Sequence, residues 1–159
     1  MKRALRRLRV LILLAVLAGS VAITSGANTD VAVVVRPDTP VDDLTLAEIK
    51  KLLFGERQFW NSNLRVTLLI RQPAAREREV VLKTIYHMSE TEFKQFWMSK
   101  VFRAEARGPM IVYSNEMAAQ LVTAIPGSVA FVDATQVPKD LKVLKIDGKL
   151  PGDRAYPLR

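Results

Sequence analysis

From Asp30 onward the chain switches repeatedly between two hydrophobic periods, and the order of the switches predicts the fold. Asp30 to Val35, DVAVVV, is a short run rich in β-branched residues, the pattern of a strand buried on both faces. Arg36-Pro37-Asp38-Thr39-Pro40 stops it, and Val41 to Leu44 leads to a helix start at Thr45. Thr45 and Glu48 have capping-box spacing, Leu44 and Ile49 fit the hydrophobic staple, and Leu46, Ile49, Leu52 and Leu53 form one apolar stripe that Gly55 ends. Glu56 to Leu64 is a loop, in which Phe59 and Trp60 are expected to plug the sheet edge.

The next stretch, Arg65 to Tyr86, carries the strongest functional suggestion. Val66, Leu68 and Ile70 alternate with Thr67 and Leu69 as in a mostly buried strand, while Val81, Leu82 and Ile85 repeat at helical spacing. Gln72-Pro73 joins the two, with Pro73 expected at the first helical position. A helix start presents unpaired N–H groups and partial positive charge, and Arg71 and Arg76 flank this one, so an anion can be held here. The competing expectation is that Arg76 to Glu79 form a solvated face, with Glu79 and Lys83 as an i,i+4 pair.

A second helix follows at once. Ser89 and Glu92 make its capping box, Met88 and Phe93 its staple, and Phe93, Phe96 and Trp97 its core face. His87 stands alone at the junction, with no second histidine or cysteine to make it a metal site. Val101 to Pro109 is a basic loop open to solvent or to an acidic partner. Ile111 to Tyr113 is a short strand, and Ser114 caps a helix with Met117, Ala118, Leu121, Val122 and Ile125 on its apolar face. Ser128 to Val132 and Leu141 to Ile146 are the last strand candidates. Strands alternating with helices give an α/β fold, a mixed sheet flanked by helices.

Composition changes the picture mainly at the N-terminus. Lys2, Arg3, Arg6, Arg7 and Arg9 precede an uncharged run from Val10 to Thr29, with small-x-small patterns ending at Ala22 and Ala27. This is the layout of a signal peptide, residues 1–27, followed by one domain, 28–159; retention as a membrane anchor is the alternative. Removing the leader takes away five of 24 basic residues and none of the 16 acidic ones, so a net charge of +8 falls to +3 and a nucleic-acid partner loses its basis. Export without any cysteine leaves stability to a packed core.

No phosphate loop, dinucleotide fingerprint, nucleophile elbow or metal-ligand motif occurs, so the residues point to no enzyme and no cofactor. Asp42-Asp43 is expected only to favour the helix N-terminus that follows it.

Several stretches together resemble one lobe of a periplasmic phosphate-binding protein of the type 2 solute-binding fold. VAVVVRPDTPVDDLTLAEIKKLLFGERQFW is similar to that family's crossover strand and following helix, the strand ending at Arg71 is similar to one that ends in Arg, and PGSVAFVDATQVPKDLKVLKIDGKLP with Tyr156 to Arg159 is similar to its hinge-return segments. The resemblance implies a periplasmic solute-binding-like protein, a phosphate or other small oxyanion as ligand, and an ABC transporter or another envelope protein as partner. In that family the strand Arg is followed by a Gly-Ser-Gly-Thr turn that binds the oxyanion. Here Ala74, Ala75, Arg76 and Glu77 stand in its place, leaving backbone N–H groups with Arg71, Gln72 and Arg76, joined by Ser114 at the next helix start, as the candidate site. An envelope interaction or scaffold module that has kept the lobe and lost the ligand is the alternative.

Overall fold

The computed structural model describes residues 30–159; the expected signal peptide, 1–27, lies outside them. Its organising strand is β1 (Val31–Val35), every residue of which is buried. Antiparallel pairing joins β1 to β5 (Ser128–Asp133) on one side and to β6 (Lys142–Val143) on the other. Beyond β5 lie β3 (Thr67–Arg71) and then β4 (Met110–Val112), both running parallel to it, so the sheet order is β4-β3-β5-β1-β6. A two-stranded parallel pair, β2 (Asp43–Leu44) with β7 (Lys145–Ile146), stands apart from it.

Two layers of helix explain why β1 has no polar position. Val31, Val33 and Val35 face a core built from α1 (Leu46–Leu53), α2 (Arg76–Val81) and α3 (Glu90–Phe102), whereas Ala32 and Val34 face α4 (Asn115–Ala124). Leu68 and Ile70 against Leu69, and Val129 and Phe131 against Ala130 and Val132, divide between the same two faces. Each fully buried Val or Leu contributes about 1.5–3 kcal/mol of transfer free energy, and the sheet shares this burial with the helices packed on it.

Both capping boxes form. Thr45 N–H donates to Glu48 Oε2 at 2.8 Å and Glu48 N–H to Thr45 Oγ1 at 3.2 Å, while Ser89 and Glu92 repeat the exchange at 2.7 and 3.3 Å. Phe93 and Trp97 are buried as expected, and Phe96 packs half-buried beside them. Trp60 is the plug its position suggested: it is buried, and its indole N–H donates to Gly127 O at 2.8 Å. Phe59 instead stays 46% exposed beneath the Arg65 guanidinium.

Two expected elements need correction. Pro73 is not the first helical residue. The Ala75 N–H closes a turn on Gln72 O at 3.2 Å, Ala74 adopts φ 67°, and a left-handed residue cannot continue a right-handed helix, so α2 begins only at Arg76. α2 then widens into a π-helical turn, Leu82–Tyr86, ended by His87 at φ 52°. The segment Leu141 to Ile146 is not one strand. Leu144 is fully buried and its N–H bonds to Val33 O, after which the chain leaves β1 to pair with β2. Asp42 and Asp43 hold this return, through Lys142 Nζ at 2.9 Å and the Gly148 N–H at 3.1 Å.

The aperiodic tail is anchored where the chain began. Val31 N–H donates to Leu158 O, Tyr156 O–H donates to Val31 O, each at 2.8 Å, and Leu158 is completely buried.

Candidate functional site

β3 and β4 are parallel and in register, Arg71 opposite Val112, so the helices that follow them start from the same edge of the sheet. The Gln72 N–H donates to Val112 O at 2.9 Å and ties the two exits together. Arg71, half-buried Gln72 and Ser114 therefore come to one edge. Arg76 stands apart from them: it is exposed and makes no hydrogen bond or ion pair among the described residues.

The charge on Arg71 is already answered. Its side chain is 11% exposed and its Nε lies 3.4 Å from Glu77 Oε2, on a carboxylate only 9% exposed; Nη1 reaches Val112 O at 3.5 Å. The N-cap of α2, Ala75, has no side chain to bond the first turn, and Glu77 supplies the negative charge that the helix start favours. A dissolved anion thus meets a competitor tethered six residues away, which acts at a high effective concentration.

Ser114 is occupied in the same way. Its Oγ accepts from Met117 N–H at 3.0 Å, capping α4, and its hydroxyl bonds to the Glu116 carboxylate. Glu116 is held below its ordinary pKa, first by its own backbone N–H and then by Ser114, with Arg71 adding a weaker pull and burial opposing them. Beside Arg71, where a free oxyanion would need only donors, the Glu77 carboxylate is already in place, and Glu116 adds negative charge near enough for Arg71 to feel.

Arg78 was expected on a solvated face and is instead 3% exposed. It donates through Nε to Glu90 Oε2 at 2.9 Å and through Nη2 to Glu90 Oε1, reaches Arg71 O from Nη1 at 3.0 Å, and lies 4.6 Å over the Phe93 ring. It locks β3, α2 and α3 to one another. Only Arg76 and Glu79 match the solvated reading, and Glu79 forms no ion pair with Lys83. The signal was present: Glu77 lies four residues before Val81 and Arg78 four before Leu82, so both sit on the stripe that those apolar positions bury.

No family model matches the sequence, and no curated protein matches it. Solved structures do. The chain is similar to PstS from Borrelia burgdorferi at a TM-score of 0.64 and 15% identity, covering 81% of this chain and 53% of that one. It is also similar to an ABC-type phosphate transport receptor from Vibrio cholerae at 0.62 and 18% identity, covering 77% and 48%. The chain spans about half the length of each of these structures. Its fold is the single-lobe, mixed-sheet fold of such phosphate-binding proteins, and at this identity the likeness speaks for the fold alone.

Proposed function

We propose that this chain is an exported, non-catalytic interaction module of the cell envelope: a solute-binding-like lobe, residues 28–159 behind a leader at 1–27, whose oxyanion seat is filled by its own side chains. The observation that carries this reading is the buried Arg71–Glu77 pair. A transport protein needs that guanidinium free for its cargo. Next to the filled seat, β4 is the open edge of the sheet, with Ile111 36% and Tyr113 65% exposed, and Arg76 offers an unpaired charge on the same side of α2 as solvent. Open edges and exposed apolar residues are ordinary material for protein contacts.

The test is photocrosslinking in intact cells from positions 76 and 113, with position 139 as a remote control. Capture of one shared partner from the first two positions and not from the third, weakened by Arg76→Glu, is the expected result. Equal capture from all three, or none, would overturn the reading.

A second reading has the lobe hold phosphate or another small oxyanion at Arg71, Gln72, Arg76 and Ser114, delivering it to an ABC transporter. The convergence of Arg71 and Ser114 on one edge supports it, as does a fold shared with phosphate-binding proteins. It requires Glu77 to leave Arg71 when the anion arrives, and Arg76 to turn inward.

A further inference from the structure

A second cluster of positive charge lies at the other end of β3. Where the strand begins, a pocket of about 250 Å³ opens between the strand, the turn after α1 and the loop after α3. Three arginines line it, Arg57, Arg65 and Arg107, and no carboxylate does. Arg57 reaches Glu48 at 3.6 Å, donates from Nε to Phe59 O at 3.4 Å and lies 5.5 Å over the Trp60 ring. Arg65 is held by a neutral group: its Nη2 donates to Gln58 Oε1 at 2.9 Å, and Gln58 is fixed in turn by donating to Glu105 O at 2.8 Å. Arg107 is exposed and makes no ion pair among the described residues, because the nearby Glu105 carboxylate is taken by Arg103.

The floor has the opposite character. Leu52, Leu68 and the Trp97 indole are buried apolar groups that line the same pocket, and Gly55 forms its wall without a side chain. A side chain at Gly55 would be strained and tight, since its Cβ would stand 3.0 Å from both Trp97 and Ala106 on a backbone at φ +68°. A hydrated phosphate would satisfy the arginines and waste this floor. A ligand with a carboxylate at one end and a small apolar body satisfies both, because guanidinium groups bind carboxylates in a planar, two-pronged manner while the ring or chain is removed from water.

We infer that this pocket binds small amphipathic carboxylates, with Arg65 and Arg107 on the carboxylate and the Trp97 floor under the apolar body. The site is separate from the Arg71 edge and does not depend on what that edge does. Calorimetry on the purified full-length chain tests it with benzoate and hexanoate as probes, benzyl alcohol and hexanol as their uncharged counterparts, and inorganic phosphate as an anion without an apolar part. Saturable binding of a carboxylate is expected, about tenfold or more tighter than its alcohol, since one charge-assisted contact is worth at least that factor. Arg107→Gln is expected to weaken it by a similar factor and Arg76→Gln to leave it unchanged. Arg107 is exposed, so the variant keeps its fold; circular dichroism confirms this before titration. Quenching or shift of tryptophan fluorescence by the same probe places it on the floor. No binding of either carboxylate, equal binding of acid and alcohol, binding of phosphate as tight as benzoate, or indifference to Arg107→Gln would each overturn the inference.

Discussion

Replacing Glu77 by glutamine removes the charge that answers Arg71 while keeping its size and one acceptor oxygen. Both side chains are about nine-tenths buried, 11% and 9% exposed, so the pair is largely shielded from water. Breaking a buried pair by removing one partner costs about 3–5 kcal/mol when nothing else helps the remaining charge. Here the 3.4 Å separation is long, Arg71 keeps its bond to Val112 O, and Glu116 is close enough to feel it. The expected loss is therefore smaller, about 1–2 kcal/mol. Urea unfolding at pH 7 measures it as a lower midpoint at unchanged slope. The same unfolding in sulfate asks what Arg71 does once freed. Sulfate stabilises most proteins by exclusion, so the informative quantity is the increment in Glu77→Gln beyond that in the unmodified chain. If the freed guanidinium takes the ion, that excess reaches about 1.4 kcal/mol when sulfate is tenfold above its dissociation constant. A variant as stable as the parent, or one gaining no more from sulfate, would refute the reasoning that Glu77 holds the seat of an anion.

Further substitutions test the frame around that edge. Arg78→Ala should cost about 2–3 kcal/mol in thermal or urea unfolding, because it breaks the clamp to Glu90, leaves Arg71 O without its donor and removes the cover over Phe93. Gly127→Ala should be worse, about 3 kcal/mol or more, since its Cβ would fall 2.1 Å from Arg65 O on a backbone at φ +77°. Tyr156→Phe should cost about 1–2 kcal/mol and speed amide exchange along β1, by orphaning the buried Val31 O. Ser89→Ala tests the cap of α3 by its pH dependence. Hydrogen bonds from the Ser89 backbone and then its hydroxyl hold Glu92 below its ordinary value of 4.5, so that stabilisation is complete above 4.5 and lost as pH falls through the lower folded value. The gap between parent and variant should accordingly narrow on acidification below that point; a constant gap would remove the link.

Much of the scaffold could be read from the chain because the rules involved are local. β1 has no polar residue and is buried on both faces, the two capping boxes place their helix starts to the residue, and Ser114 caps α4 as its spacing implies. What was not legible depended on backbone choices that side-chain type does not dictate. Ala74 takes a left-handed conformation that glycine or asparagine would have announced, and that one residue moves the start of α2 from Pro73 to Arg76. Glu77 and Arg78 fall on the stripe of Val81 and Leu82, so what reads as a solvated charge run is a buried ion-pair network. Likewise Leu141 to Ile146 reads as one strand by period, yet the pairing partner changes at Leu144. Partner exchange is a property of the sheet, not of the segment.

The candidate site divides in the same manner. Its location followed from strand, turn and helix order, which put Arg71 and Ser114 at one edge. Its occupancy did not, because a carboxylate on an apolar stripe shows burial but not its partner, and the partner of Glu77 is Arg71, six residues earlier.

The most direct measurement of the central claim is a calorimetric titration of phosphate into the unmodified chain. A lobe whose Arg71 is satisfied by Glu77 should give no saturable heat with millimolar phosphate. Saturable binding that Arg71→Ala abolishes would contradict that account and restore this edge as a working oxyanion site.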